Sequence, residues 1–247
     1  MMKSQLSAIE DYWTMRAEGY SASIMETIET GRSDHWLDII NNHLEPGRPL
    51  KVLDIGTGPG FFPIILGREG HDVTAVDYTQ AMLDEAEANC KAAGVNATFL
   101  RMDAQGLDFD DCSFDLVISR NLIWNLEDPE RAYREWLRVL RDGGKLMVFD
   151  GNHYLHLYDR EYAMAEEVNG DRNNHSHIGN VDTNIMRDIA RDLPLSRERR
   201  PQWDMALLIE MGVQNLSIET DGRDSFKVDV DGKTVYLPFT FFICATK

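Results

Sequence analysis

Hydrophobic and polar positions along this chain follow two periods. Five short apolar runs, at 50–55, 72–77, 97–102, 116–119 and 145–150, are separated by stretches in which apolar residues return every three or four positions. Runs this short and this apolar read as strands buried on both faces, and the stretches between them as amphipathic helices. Strict alternation of the two predicts a parallel sheet with helical crossovers. Helices are expected at 61–68 and at 80–93. The second carries Met82, Leu83, Ala86 and Cys90 on one face and is closed by Gly94. A further helix opens at Asp128-Pro129, with Asp as cap and Pro in the first turn, and turns Ala132, Trp136, Val139 and Leu140 inward.

The flanks differ. Residues 4–44 read as helical, with Ile9, Tyr12, Trp13, Arg16, Ala17 and Tyr20 at helical spacing. A second helical segment follows Ser33 or Asp34, and 45–49 link it to the first strand. After residue 150 the alternation breaks for about fifty residues. A last helix then ends near Met211-Gly212, and a strand is expected at 213–220. A hairpin turns at Asp231-Gly232, and an apolar strand closes the chain at 239–245. The expected organisation is a helical cap (1–47), a core (48–150 and 201–247) and an insertion (151–200).

Between the first strand and its helix stand Gly56, Gly58 and Gly60, two residues apart. Glycines there let the backbone turn sharply and approach a ligand, and the first helical N–H groups point at the same spot. The plainest reading is a strand-to-helix turn. Asp77, at the tip of the second strand, adds to it: an acid there is placed to accept the hydroxyls of a ribose, so the ligand is a nucleoside. A dinucleotide fingerprint needs glycine where Phe61 stands, and no Lys-Ser/Thr follows to make a P-loop.

The spacing Asp54-x-Gly56-x-Gly58-x-Gly60 resembles motif I of the class I S-adenosylmethionine (SAM)-dependent methyltransferases, in their small-molecule, UbiE/methyltransferase-11-like branch. The stretch from Asp103 to Gly144 is similar to that family, including Arg138-Val139-Leu140-Arg141-Asp142-Gly143-Gly144, where Asp142 replaces the usual proline. The aromatic stripe Tyr12, Trp13 and Tyr20 reads either as core packing or as a lid; Trp13-x-x-Arg16-Ala17-x-x-Tyr20 resembles the entry to many such domains, which implies that Arg16 and Tyr20 lie near the cofactor's carboxylate or the substrate. The resemblance implies a Rossmann-like, seven-stranded, mostly parallel sheet with helices on both faces and an antiparallel last strand. It implies SAM as cofactor and S-adenosylhomocysteine (SAH) as product. Asp54, Gly56, Thr57, Gly58, Gly60, Asp77, Tyr78, Met82, Asp103, Ala104, Arg120 and Arg16 become the expected cofactor contacts. The expected reaction is methyl transfer to a small-molecule acceptor, with His153 and Tyr20 as candidate catalytic groups. An NAD-dependent oxidoreductase, a non-methylating cyclase or decarboxylase of the same fold, and a SAM-binding module stay open.

Composition narrows the partners. A net charge of −17 over 247 residues repels phosphate backbones and anionic membrane surfaces. No nucleic acid or membrane partner is expected, and a cytoplasmic monomer or homodimer is. Three cysteines, Cys90, Cys112 and Cys244, make neither a disulfide framework nor a zinc cluster.

The insertion holds His153, His156, His175 and His177, four of the seven histidines. No metal is assigned to them. It leaves the sheet at the same edge as the glycine loop, so it is expected to roof the site as a substrate lid. Arg187, Arg191, Arg197, Arg199 and Arg200 form a basic group there, read either as a solvated helix face or as a clamp for an acidic substrate group.

Overall fold

The computed structural model describes residues 5–45, 47–170, 177–220 and 224–247. Ser4, Pro46 and His175 lie outside the described residues. Two helices, α1 (Gln5–Glu29) and α2 (Asp34–His43), precede the alternation. It then runs β1 (Lys51–Ile55), α3 (Phe61–Arg68), β2 (Asp72–Asp77), α4 (Gln80–Ala92), β3 (Thr98–Arg101), β4 (Phe114–Arg120), α5 (Pro129–Val139) and β5 (Leu140–Gly151). The insertion contributes α6 (Arg160–Asn169) and α7 (Asn184–Ala190). The chain finishes with α8 (Gln202–Glu210), β6 (Asn215–Thr220), β7 (Ser225–Val230), β8 (Lys233–Pro238) and β9 (Thr240–Thr246).

Seven strands form one sheet in the order β3-β2-β1-β4-β5-β9-β6. β9 runs antiparallel to both its neighbours; the remaining pairs are parallel. Side chains alternate across the sheet. Leu53 and Ile55 enter one apolar layer with Tyr133, Trp136 and Leu208 from α5 and α8. Val52 enters the other with Ile24, Ile28, Ile40 and α3. The strand order reverses between β1 and β4, and a crevice opens above their carboxyl ends.

The Asp128 side chain accepts from the Arg131 N–H and caps α5, as its position before Pro129 requires. β5 begins earlier than its apolar run. Leu140 pairs with Phe114, and the polar turn that follows is tied to the chain's end through Gly143 N–H to Lys247 O (2.9 Å). The hairpin stands apart from the main sheet. Its turn residues Asp231 and Gly232 have φ of 49° and 79°, as a type I′ turn demands. Phe226, Val228 and Leu237 pack it against Tyr162 and Ala165 of α6, a separate small core.

The insertion is closed at its base. Asn152 Nδ2 donates to Arg200 O (2.8 Å), and Arg200 N–H returns to Asn152 Oδ1 (3.1 Å). Arg200 reaches Asp150 Oδ2 (2.7 Å) and both oxygens of Asp204 (2.6 and 2.8 Å). Tyr133 donates its hydroxyl to Asp204 (2.6 Å). Burial alone would lower the Arg200 pKa; the two carboxylates outweigh it and hold the guanidinium well above its ordinary value. The expected solvated or substrate-clamping arginines thus include an interior tie. Arg199, beside it, binds Asp159 and Glu161 at the start of α6.

Candidate active site

The glycine loop is built onto β2. Gly56 and Thr57 donate their N–H groups to Val76 O (2.8 and 3.0 Å), and Gly58 donates to Asp77 Oδ2 (2.9 Å). Two of the glycines are required by contact as well as by backbone. A Cβ on Gly56 (φ 70°) would stand 2.7 Å from the Leu122 side chain. One on Gly60 (φ 92°) would meet the Ala86 backbone at 3.2 Å, so Gly60 sets the approach of the loop to α4 rather than lining the crevice.

The crevice encloses about 1000 Å³ including its mouth. Its floor is the loop, with Asp54 and Thr57, and the tips of β2 and β4. One side is made by Tyr78, Met82, Met102 and Ala104, an apolar slot at whose edge Asp103 stands. The Asp103 carboxylate accepts from Gln105 N–H (2.9 Å), which fixes its direction. α1 supplies the roof through Leu6, Ile9, Trp13, Tyr20 and Ile24, with the Tyr20 ring close over Gly58.

Among the described residues, the insertion lines none of this crevice. It stands behind α1 instead. Gln5 donates to Ile189 O (3.3 Å), and Arg16 donates to His177 O (3.3 Å). The structure therefore gives the roof to the cap helix and makes the insertion its brace.

The electrostatics of the floor are unusual. Asp54 is 1% exposed, and among the described residues neither of its carboxylate oxygens has a hydrogen-bond partner. Burial pushes its pKa up to about 7; the facing Thr57 hydroxyl, short of hydrogen-bond geometry, and Arg120 pull the other way. Asp77 is raised to about 6, again mainly by burial, against the backbone N–H groups of Thr79 and Gly58. Thr57 Oγ1 and Asn125 Oδ1, both on the crevice wall, are buried and unpartnered among the described residues. Buried polar atoms are normally satisfied. These unsatisfied groups of Asp54, Thr57 and Asn125 share one cavity. Arg120 faces them from the β4 tip, its guanidinium held over the rings of Trp36 (4.9 Å) and Phe61 (4.7 Å).

The structure thus gathers Tyr20, Asp54, Gly56, Thr57, Gly58, Asp77, Tyr78, Met82, Asp103, Ala104 and Arg120 round one space. Arg16 is buried but turned toward Tyr12 and His177. His153 lies in a different recess with Asn152, His156 and Tyr162, its ring 5.1 Å from Trp124 and 3.8 Å from Asp150. The apolar roof residues Leu6 and Ile24 carried no readable signal, since they differ in sequence from ordinary packing positions only by where the fold puts them; Asn125 was marked only by its place just beyond the carboxyl end of β4.

Other groups stand away from this chemistry. Cys90 and Cys244 are buried, and burial raises their thiols to about 12 and 11. No cluster of three or more metal-ligating side chains occurs among the described residues. No helix among them is long and apolar enough to cross a membrane.

Comparison with known proteins agrees with this geometry. Residues 53–148 match the family described as "Methyltransferase domain". A demethylmenaquinone methyltransferase of Bacteroides fragilis is 30% identical over 128 residues, covering 50% of this chain and 52% of that protein. One from Thermus thermophilus is 36% identical over 104 residues, covering 41% and 47%. The chain spans about half the length of these curated relatives. Among solved structures, a SAM-dependent methyltransferase from Methanosarcina mazei shares the fold with a TM-score of 0.54 at 22% identity, covering 85% of this chain and 96% of that one. Over residues 53–148 this chain is therefore similar to methyltransferases, and its fold is one shared with a SAM-dependent methyltransferase.

Proposed function

We propose that this chain transfers a methyl group from SAM to a small-molecule acceptor. The observation that carries the reading is the orphaned Asp54 carboxylate, buried beneath the glycine loop. SAM is a zwitterion that also carries a sulfonium, and its ammonium supplies the donors that Asp54 lacks. Arg120 meets its carboxylate, and Asp77 accepts from the ribose hydroxyls. Asp103 serves the adenine amino group, with Met82, Tyr78 and Ala104 as walls for the ring. Tyr20 closes over the loop from the roof.

When bound, the donor supplies an already activated methyl group. The chain therefore needs to orient an acceptor and keep water out. The tight roof of α1 supports the second of these tasks. His153 lines a separate recess rather than the crevice, which favours another group as proton acceptor. The two curated relatives are named demethylmenaquinone methyltransferases, which supports a ring-bearing acceptor.

Calorimetry with SAH tests the reading. A one-to-one complex in the micromolar range is expected, together with label transfer from methyl-labelled SAM. Absence of heat from folded, ligand-stripped protein would overturn it. SAM consumption without transfer of the methyl group would favour the cyclase or decarboxylase alternative.

A further inference from the structure

A second cavity, of about 1420 Å³ including its mouth, opens over the tips of β4, β5 and β6 and the start of β9. It shares Arg120 and Asn121 with the first crevice, so one guanidinium forms part of the wall of both. Trp36, Phe149, Phe241, Phe242 and Ile39 give it an apolar lining. Resting on the cofactor reading above, we infer that this cavity is the acceptor site, that it takes a flat, uncharged aryl ring bearing a hydroxyl, and that His35 at its edge accepts the hydroxyl proton.

The ring lining favours a ring-shaped, apolar ligand. Two of the faces are already engaged by resident cations: Arg120 lies over Trp36 at 4.9 Å and Arg200 over Phe241 at 5.0 Å. A cage for an ammonium needs those faces open, so an amine fits poorly. Asp150, Glu219 and Asp224 also line the cavity in a protein of net charge −17, which disfavours phosphorylated acceptors. Neutral aryl hydroxyls remain.

His35 sits in the first turn of α2, exposed, with its ring 5.8 Å from that of Trp36. Among the described residues lining the cavity it is the imidazole. Asp34 and Asp38 share its helix; Arg120, Asp150, Glu219 and Asp224 line the same cavity from the other elements. In the reaction the aryl oxygen takes the methyl group as the carbon–sulfur bond breaks. The bond's electron pair stays on sulfur, the hydroxyl proton passes to His35 and then to water, and the products are an aryl methyl ether and SAH.

The test uses the full chain saturated with SAH and 2-naphthol as probe, followed by fluorescence. Naphthol is expected to bind at least about tenfold more tightly than tryptamine or adenosine monophosphate. Ile39→Trp, or Thr220→Trp on the opposite wall, fills the cavity and should weaken naphthol about tenfold or more, with SAH affinity within about twofold. In turnover with methyl-labelled SAM, His35→Gln should lower kcat at pH 7 by about a hundredfold at little cost in KM. The gap should close at high pH, where naphthol ionises unaided. Preference for tryptamine or the nucleotide, naphthol binding untouched by both cavity fillers, or an unchanged kcat and pH profile in His35→Gln would each overturn the assignment. Naphthol failing to bind a protein that binds SAH normally would overturn the acceptor site alone; failure of the wild type to bind SAH would overturn the cofactor reading beneath it.

Discussion

Two buried acidic sites, Asp54 under the glycine loop and Asp150 with Asp204 at the base of the insertion, differ in one respect. Asp150 and Asp204 are answered by Arg200, and Asp204 also by Tyr133. Asp54 makes no hydrogen bond among the described residues, and only the more distant Arg120 offsets its charge. A buried charge that is fully paired holds a fold together, whereas one left unpaired costs stability unless a ligand supplies the partner. The first site is architecture, and the second is where the proposed function places the cation of a ligand.

The sharpest way to break this contrast is to neutralise each site. Asp54→Asn should weaken SAH by about a hundredfold, the loss of a charge-assisted contact in a desolvated crevice, measured by calorimetry. The same change should stabilise the ligand-free protein at pH 8. Its sign follows from the raised pKa: an acid lifted from 3.8 to about 7 favours the fold fully below pH 4, and that contribution is lost as pH rises through 7. The asparagine variant escapes a cost of about 4 kcal/mol, so its thermal midpoint at pH 8 should exceed the wild type's. A lower midpoint would show that Asp54 is already satisfied.

Arg200→Met should behave in the opposite manner. It strands two carboxylates and should cost about 3–5 kcal/mol in denaturant unfolding at neutral pH. Tyr133→Phe removes one hydrogen bond to Asp204 and should cost about 1–3 kcal/mol by the same measurement. If Arg200→Met were as harmless as a surface change, the interior tie would carry no stability.

How much of this was readable beforehand also divides between the two regions. Around the loop, signals are local: helix 61–68 and strand 72–77 stand where apolar period and glycine punctuation put them. Asp54, Asp77 and the loop are near neighbours in sequence, and one βαβ unit brings them together. The base of the insertion is not local. Arg200 and Asp150 are fifty residues apart, and nothing in either neighbourhood separates a tie from a solvated pair. The roof was legible only as one of two readings. The aromatic stripe on α1 looks the same whether it packs on a core or closes a cavity, and only the fold brought Trp13 and Tyr20 over the crevice. His153 sits near the sheet edge in sequence, yet the chain turns it into a recess of its own.

The central claim is that Asp54 awaits a cation, and its proton balance tests this most directly. Titrating SAH into the protein by calorimetry, in buffers of different ionisation enthalpy from pH 5.5 to 8.5, counts the protons that move on binding. A cationic partner favours the ionised carboxylate, so affinity should rise with pH through about 7 and then level off. Below that pH about one proton should leave the protein per SAH bound, with a further contribution near pH 6 from Asp77. Affinity independent of pH, with no proton released across that range, would contradict the account.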